Sequence, residues 1–101
     1  MSNDQTQFRR PRFLLGRIIM SPAATVAISQ RENFQSVQRF LEFHQTGDWG
    51  LVRPPVERAN EQACENCGDL FSLYGLGDNF LWIVTDDLRR FTVLLVHTND
   101  C

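Results

Sequence analysis

The chain contains no lysine: all ten of its basic residues are arginine, set against twelve acidic residues, for a formal net charge of −2. The missing basic excess argues against a constitutive nucleic-acid binder, whose domain usually carries a clear positive balance, so no direct nucleic-acid contact is expected. Arginine offers planar bidentate hydrogen bonds and stacks on aromatics, which suits a recognition surface, although a GC-rich coding bias produces the same count. No apolar run is long enough to span a bilayer, so neither a transmembrane helix nor membrane binding is expected. Near the N-terminus, the apolar patch after Arg9 and Arg10 is too short for a signal-peptide core, and Arg17 breaks it from the next apolar residues. A cytoplasmic protein is the simplest expectation.

What the chain does have is a core. A hydrophobic fraction of 43% with eight Phe and two Trp is enough to fold 101 residues as one domain without disulfides or a metal. Residues 1–11 read as a polar tail and 12–98 as the domain. FLLGRIIM (13–20) is rich in β-branched and apolar residues and fits a strand. Ser21 followed by Pro22 is a helix start, with Ser accepting from orphan amides and Pro at the first helical position. The helix fades at Gln30–Asn33. Phe34, Val37, Phe40, Leu41 and His44 then recur at helical spacing, which gives a second helix over about 36–45 with Ser36 as its N-cap. Gly47 stands where a left-handed C-terminal residue is expected. A third helix spans 53–68, with Pro54 and Pro55 at its beginning and Gly68 ending it.

From residue 69 the period changes. DLFSLYGL, FLWIVT and FTVLLVH read as three strands separated by turns at Gly77-Asp78-Asn79 and at 86–90. Connections this short force antiparallel neighbours. The continuous apolar run Phe80–Val84 implies a middle strand covered on both faces, with Trp82 in the core. The expected fold is α+β, a single domain β-α-α-α-β-β-β with a four-stranded antiparallel sheet and helices packed on one face. Such a sheet has two edges that invite pairing, so the oligomeric state stays open and a homodimer is among the outcomes.

Candidate chemistry is sparse. Cys64 and Cys67 form a Cys-x-x-Cys that could clip zinc, with His97 and Cys101 as completing ligands, or could form a redox disulfide. A structural zinc site normally shows two clean pairs and a redox centre a strand-loop-helix setting, so ordinary helix-face cysteines are the leading expectation, and no cofactor is expected. His44 and Asp48 could form an acid–base pair, and with Arg58, Tyr74 or His97 could imitate a metal-independent ribonuclease of the toxin type. The plainer reading places His44 in the last helical turn on orphan carbonyls, Asp48 as the cap of the turn, and Trp49 folded over the helix end. Asp86, Asp87, Arg89 and Arg90 form a charged hairpin tip. With Asp48 and Trp49 they are the candidate contacts for a protein partner, arginine being enriched at binding hot spots.

GRIIMSPAA (16–24), FLEFHQTGDWG (40–50), the Asn60-centred helix, LFSLY (70–74) and WIVTDDLRRFTVLLV (82–96) together resemble a family of short proteins carried by plasmids and other mobile elements. Its members share an H-x-x-G-D-W-G motif, and some carry the label "type I restriction endonuclease subunit M". The resemblance covers roughly residues 14–97 in the same order. A methylation subunit needs a cofactor-binding domain and a target-binding region, more than 101 residues can hold, so the resemblance implies a fold and a genetic setting and no activity. Cys64 and Cys67 depart from the family pattern, which has a large apolar residue and a glycine there, so the cysteines are not a shared device. The expectation is a small non-enzymatic protein-binding module, an inhibitor of a host restriction or CRISPR complex, with the His44/Asp48 ribonuclease as the alternative.

Overall fold

The structure, a computed structural model, describes residues 10–97. The element order is β1 (Arg17–Met20), α1 (Pro22–Ile28), α2 (Arg31–Thr46), α3 (Pro54–Asn66), β2 (Leu70–Leu76), β3 (Asn79–Thr85) and β4 (Phe91–His97). This is the expected α+β order. Ser21 caps α1 as its sequence indicates, its Oγ accepting from the Ala24 amide at 3.1 Å. Helix α2 begins at Arg31, a turn and a half before the expected start, with Gln30 as an N-cap that makes no side-chain bond. It ends where expected, at Gly47 with φ of 92°. The left-handed backbone selects glycine there, since a Cβ would meet only the movable end of the Arg12 side chain.

The four strands form one sheet in the order β1-β4-β3-β2. The β2-β3-β4 meander is antiparallel, but β1 lies parallel to β4, with Arg17 opposite Phe91 and Met20 opposite Leu94. The sheet is therefore mixed, which corrects the expected all-antiparallel arrangement. Two-residue and five-residue turns dictate direction within the meander, whereas β1 and β4 are separated by three helices and two strands, and a connection of that length leaves the direction free. The strand is also shorter than FLLGRIIM suggests. Residues 13–16 leave the sheet, because Phe13 turns into the core and Gly16 takes φ of 68° against the backbone of Arg90, where a Cβ would collide.

Strand alternation sorts the sheet into two faces. Tyr74 and Leu76 of β2, Leu81 and Ile83 of β3 and Leu94 of β4 are buried under Ala24 and Ile28 of α1 and Val37 of α2. Phe40 stacks on Tyr74 with ring centroids 4.5 Å apart and planes within 2°. A second cluster, Phe13, Trp49, Ala63 and Leu70, closes the end of the sheet against α3.

The opposite face carries Phe71 and Leu73 of β2, Phe80, Trp82 and Val84 of β3, Phe91, Val93 and Leu95 of β4, and Ile19 of β1. None is buried, and Phe71, Ile19 and Leu95 are 37%, 42% and 42% exposed. No helix among the described residues covers this face. The expectation that β3 is covered on both sides is therefore corrected: its apolar run has a helix layer on one side only, and Trp82 lies half-buried on the open side.

The edges of the sheet are unequal. Along β2, Asn60 of α3 acts as a piece of neighbouring strand: its Nδ2 donates to the Phe71 carbonyl at 2.7 Å, and its Oδ1 accepts from the Phe71 amide at 3.0 Å. Next to it, the Leu73 amide donates to Trp49 and the Leu73 carbonyl accepts from Leu51. Along β1, all four residues are exposed.

Two of these contacts set measurable stabilities. Asn60 is wholly buried, and Asn60→Ala strands both polar groups of Phe71, so it should cost about 2–4 kcal/mol in urea titration, whereas exposed Asn66→Ala should cost less than about 0.5 kcal/mol. Cys67 terminates α3 with φ of 82° and ψ of 135°, a conformation favourable only to glycine. Cys67→Gly should therefore raise stability by about 1 kcal/mol, seen as a higher melting temperature.

Candidate functional site

The buried polar residues of this domain converge on His44. Its ring is 0% exposed, as are Ser72 of β2, Thr85 of β3 and Thr92 of β4. His44 Nδ1 lies 2.5 Å from Ser72 Oγ and Nε2 lies 2.9 Å from Thr85 Oγ1. Thr85 Oγ1 is 2.7 Å from Thr92 Oγ1, and Thr92 donates to the Leu15 carbonyl at 2.8 Å. That last acceptor fixes the direction of the whole chain. Because Thr92 spends its proton on Leu15, Thr85 must donate to Thr92; His44 must then donate from Nε2 to Thr85, and Ser72 must donate to an unprotonated Nδ1. The imidazole is thus a neutral Nε2–H tautomer with both nitrogens occupied.

Burial, and then the positive charge of Arg89, push the His44 pKa down to about 3. Phe13 and Trp49 pack edge-on around the ring, with centroids 5.1 and 5.7 Å from it. The segment that supplies Phe13 and Leu15 is tied over α2 by a reciprocal pair: the Arg12 amide donates to the Gln45 carbonyl at 2.7 Å, and Gln45 Nε2 donates to the Phe13 carbonyl at 2.9 Å. Trp49 Nε1 donates to Glu61 at 2.9 Å, and Arg12 holds the same carboxylate with both terminal nitrogens. Hydrogen bonds from Arg12 and then Trp49 keep Glu61 below its usual carboxylate range.

The arrangement places a histidine beside a serine, but in a sealed setting. A general base must reach a substrate proton, and His44 offers neither an exposed nitrogen nor an ordinary pKa. The ribonuclease set does not assemble around it. Asp48 is exposed and accepts from the Gly50 amide at 3.3 Å, Arg58 is exposed on α3, and His97 is exposed at the far end of β4. Tyr74 donates to the Asp48 carbonyl at 2.6 Å, and burial raises its phenol. The carbonyl-capping role expected of His44 is also corrected: Gly47 and Asp48 amides return to His44 and Phe43 carbonyls instead, while the imidazole points into the domain. Asp48 does brace the turn.

The candidate partner contacts separate in the same way. Trp49 is 2% exposed and offers no surface. Arg89 is half-buried rather than displayed at a tip: it donates to Ala63 at the C-terminal end of α3 at 2.9 Å and to the Gly68 and Asp86 carbonyls at 2.6 and 2.8 Å, with its guanidinium over the Phe13 ring. A cation on the terminal carbonyls of a helix is a structural role. Asp86 is also internal to its turn, accepting from the Arg90 and Phe91 amides and from Arg90 Nε. Asp48, Asp87 and Arg90 remain exposed.

Cys64 and Cys67 are free thiols, and burial raises the Cys64 pKa, which disfavours the thiolate that metal or redox chemistry would use. No group of three or more His, Cys, Asp or Glu among the described residues could hold a metal ion. The ligand role considered for Cys101 lies outside the described residues, as does most of the tail assigned to 1–11.

Ser72, Thr85 and Thr92 were legible in the sequence without being recognised. Each is a small hydroxyl residue, fully buried, at an inward position of its strand, alternating with Leu70 and Tyr74, with Ile83, and with Leu94. Three inward hydroxyls require a buried partner, and His44 shares the apolar stripe of α2 with Val37 and Phe40.

No protein-family model, curated protein or solved structure matches the chain. The geometry defines an α+β domain whose most elaborate polar cluster is internal.

A neutral buried histidine has a thermodynamic signature. Unfolded His titrates near pH 6.5 and the folded ring near 3, so between these values the unfolded state binds a proton that the native state does not. Its contribution is fully present above about pH 6.5 and is lost as pH falls toward 3, at about 1.4 kcal/mol per pH unit within the window. His44→Gln should remove that slope relative to the wild type in urea titrations at pH 4–7. Nitrogen chemical shifts of the wild type should report the neutral Nε2–H form at pH 5.

Proposed function

We propose that this domain is a non-enzymatic protein-binding module that acts on a protein complex of a host nucleic-acid defence system, as an anti-restriction or anti-CRISPR inhibitor. The observation that carries the binding reading is the uncovered sheet face, with Trp82 and Leu95 paired at its centre, Phe71 on the edge strand, and no helix over it among the described residues. Soluble monomers rarely leave a contiguous apolar patch of this kind without a binding role. The internal placement of His44 supports the non-enzymatic half, since the histidine on which a ribonuclease site would be built is spent on holding the fold.

The choice of target rests on the resemblance to mobile-element proteins. A mobile element entering a cell meets restriction or CRISPR complexes first, and a small mildly acidic protein can occupy surfaces those complexes reserve for nucleic acid. Exposed Asp48 and Asp87 beside Arg90 are the charged contacts available around the apolar face and its adjoining corner. No helix among the described residues is long and apolar enough to cross a membrane.

The test is transformation of cells that carry an active restriction or CRISPR system with a plasmid that the system attacks. Expression of the protein should raise transformation by tenfold or more, and Leu95→Glu, on the open face, should abolish the gain while leaving the fold intact. Equal transformation with and without the protein across both kinds of system would refute the defence target. Hydrolysis of RNA by the purified chain that is lost in His44→Gln would refute the non-enzymatic reading.

A further inference from the structure

The apolar pattern of the meander asks for a second cover. Phe80-Leu81-Trp82-Ile83-Val84 and Val93-Leu94-Leu95-Val96 are apolar at consecutive positions, the pattern of strands buried on both faces rather than one. Helices supply one cover and nothing among the described residues supplies the other.

We infer that the open face is covered by a second copy of this chain, the two sheets stacking face to face to make a helix–sheet–sheet–helix dimer. This rests on the reading of the face as a protein-binding surface and names its occupant. Two physical features favour a copy over another partner. The first is charge: the ionisable side chains on or against the face are Arg17, Arg90 over the Phe91 ring, and His97, all at the ends of the strands, so its middle bears no charge and a partner surface of equal neutrality avoids burying an unpaired ion. The second is size. Four strands about 4.8 Å apart and up to seven residues long at about 3.3 Å each span roughly 19 by 23 Å. That is about 400 Å² in projection and more with side-chain relief. Two copies then bury on the order of 1,000 Å² in total, which reaches the threshold for a specific interface at its lower end. Stacked sheets about 10 Å apart, with interdigitating side chains, are an established packing mode.

A rival mode of self-association runs through the exposed β1 edge. Bonds from the Arg17 and Ser21 amides to Arg90 and Leu94 turn the Ile18 and Met20 amides outward, where an added strand could pair. The two modes are separated by sedimentation equilibrium of the full chain from about 1 to 500 μM, compared with Leu95→Glu and Ile18→Pro. The expected result is a wild-type dimer that persists in Ile18→Pro and becomes monomeric in Leu95→Glu, with unchanged circular dichroism. A wild type that stays monomeric at the highest concentration overturns the inference, as does a dimer that survives Leu95→Glu.

Should Leu95→Glu fail to fold, iodide quenching of the wild type decides. Trp49 is buried, so quenching reports Trp82. It should rise at least twofold on dilution through the dimer transition, and a quenching constant independent of concentration overturns the proposal. A monomeric wild type whose Leu95→Glu variant still loses defence protection would remove the dimer and leave the protein-binding reading standing.

Discussion

Everything in this domain depends on one directional hydrogen-bond chain, Ser72 to His44 to Thr85 to Thr92 to the Leu15 carbonyl. It ties α2 to three strands and to the segment before β1 through groups that have no access to water. The Leu15 carbonyl can only accept, so each hydroxyl upstream has one orientation and the imidazole one tautomer. Such a network is favourable only while complete, since any missing member leaves a buried polar group unpaired. The aromatic collar of Phe13 and Trp49 excludes the solvent that would otherwise relax it.

Around that chain the structure assigns its charged residues to architecture. Glu61 receives Trp49 and Arg12, which fixes the corner made by GDWG, and Arg89 closes the end of α3 while covering Phe13. The corner and the β3–β4 turn therefore meet at one end of the sheet, on either side of the same phenylalanine. Arg89 and Asp86, which looked like a display of charge in the sequence, are braces, while Asp87 and Arg90 stay exposed at the turn.

The sequence revealed those features that local rules determine. Ser21-Pro22, Gly47 and Pro54-Pro55 mark helix ends through the steric and hydrogen-bonding demands of a single turn, and the meander results from short connections. Long-range features were hidden. The direction of β1 depends on a partner more than 70 residues away, and Asn60 looks like any polar residue on a helix until Phe71 is placed beside it. His44 had a local explanation as a helix-end residue, and that explanation concealed the three inward hydroxyls that require it. The apolar stretch Phe80–Val84 suggests cover on two sides, but the described fold places a helix layer on one side only, because an unbroken apolar run does not say which face a helix will take.

The unequal edges of the sheet limit what kind of assembly the chain can form. Asn60 and the Trp49–Leu51 turn occupy the outward backbone groups of Phe71 and Leu73, while β1 stays bare. Open-ended growth by strand addition needs two open edges on every subunit, and among the described residues β1 is the edge left bare. Strand pairing through that edge alone joins two molecules and then stops. Asn60 and the Trp49–Leu51 turn thus act together as terminators, closing the β2 edge to the strand addition that would extend a sheet from one subunit to the next.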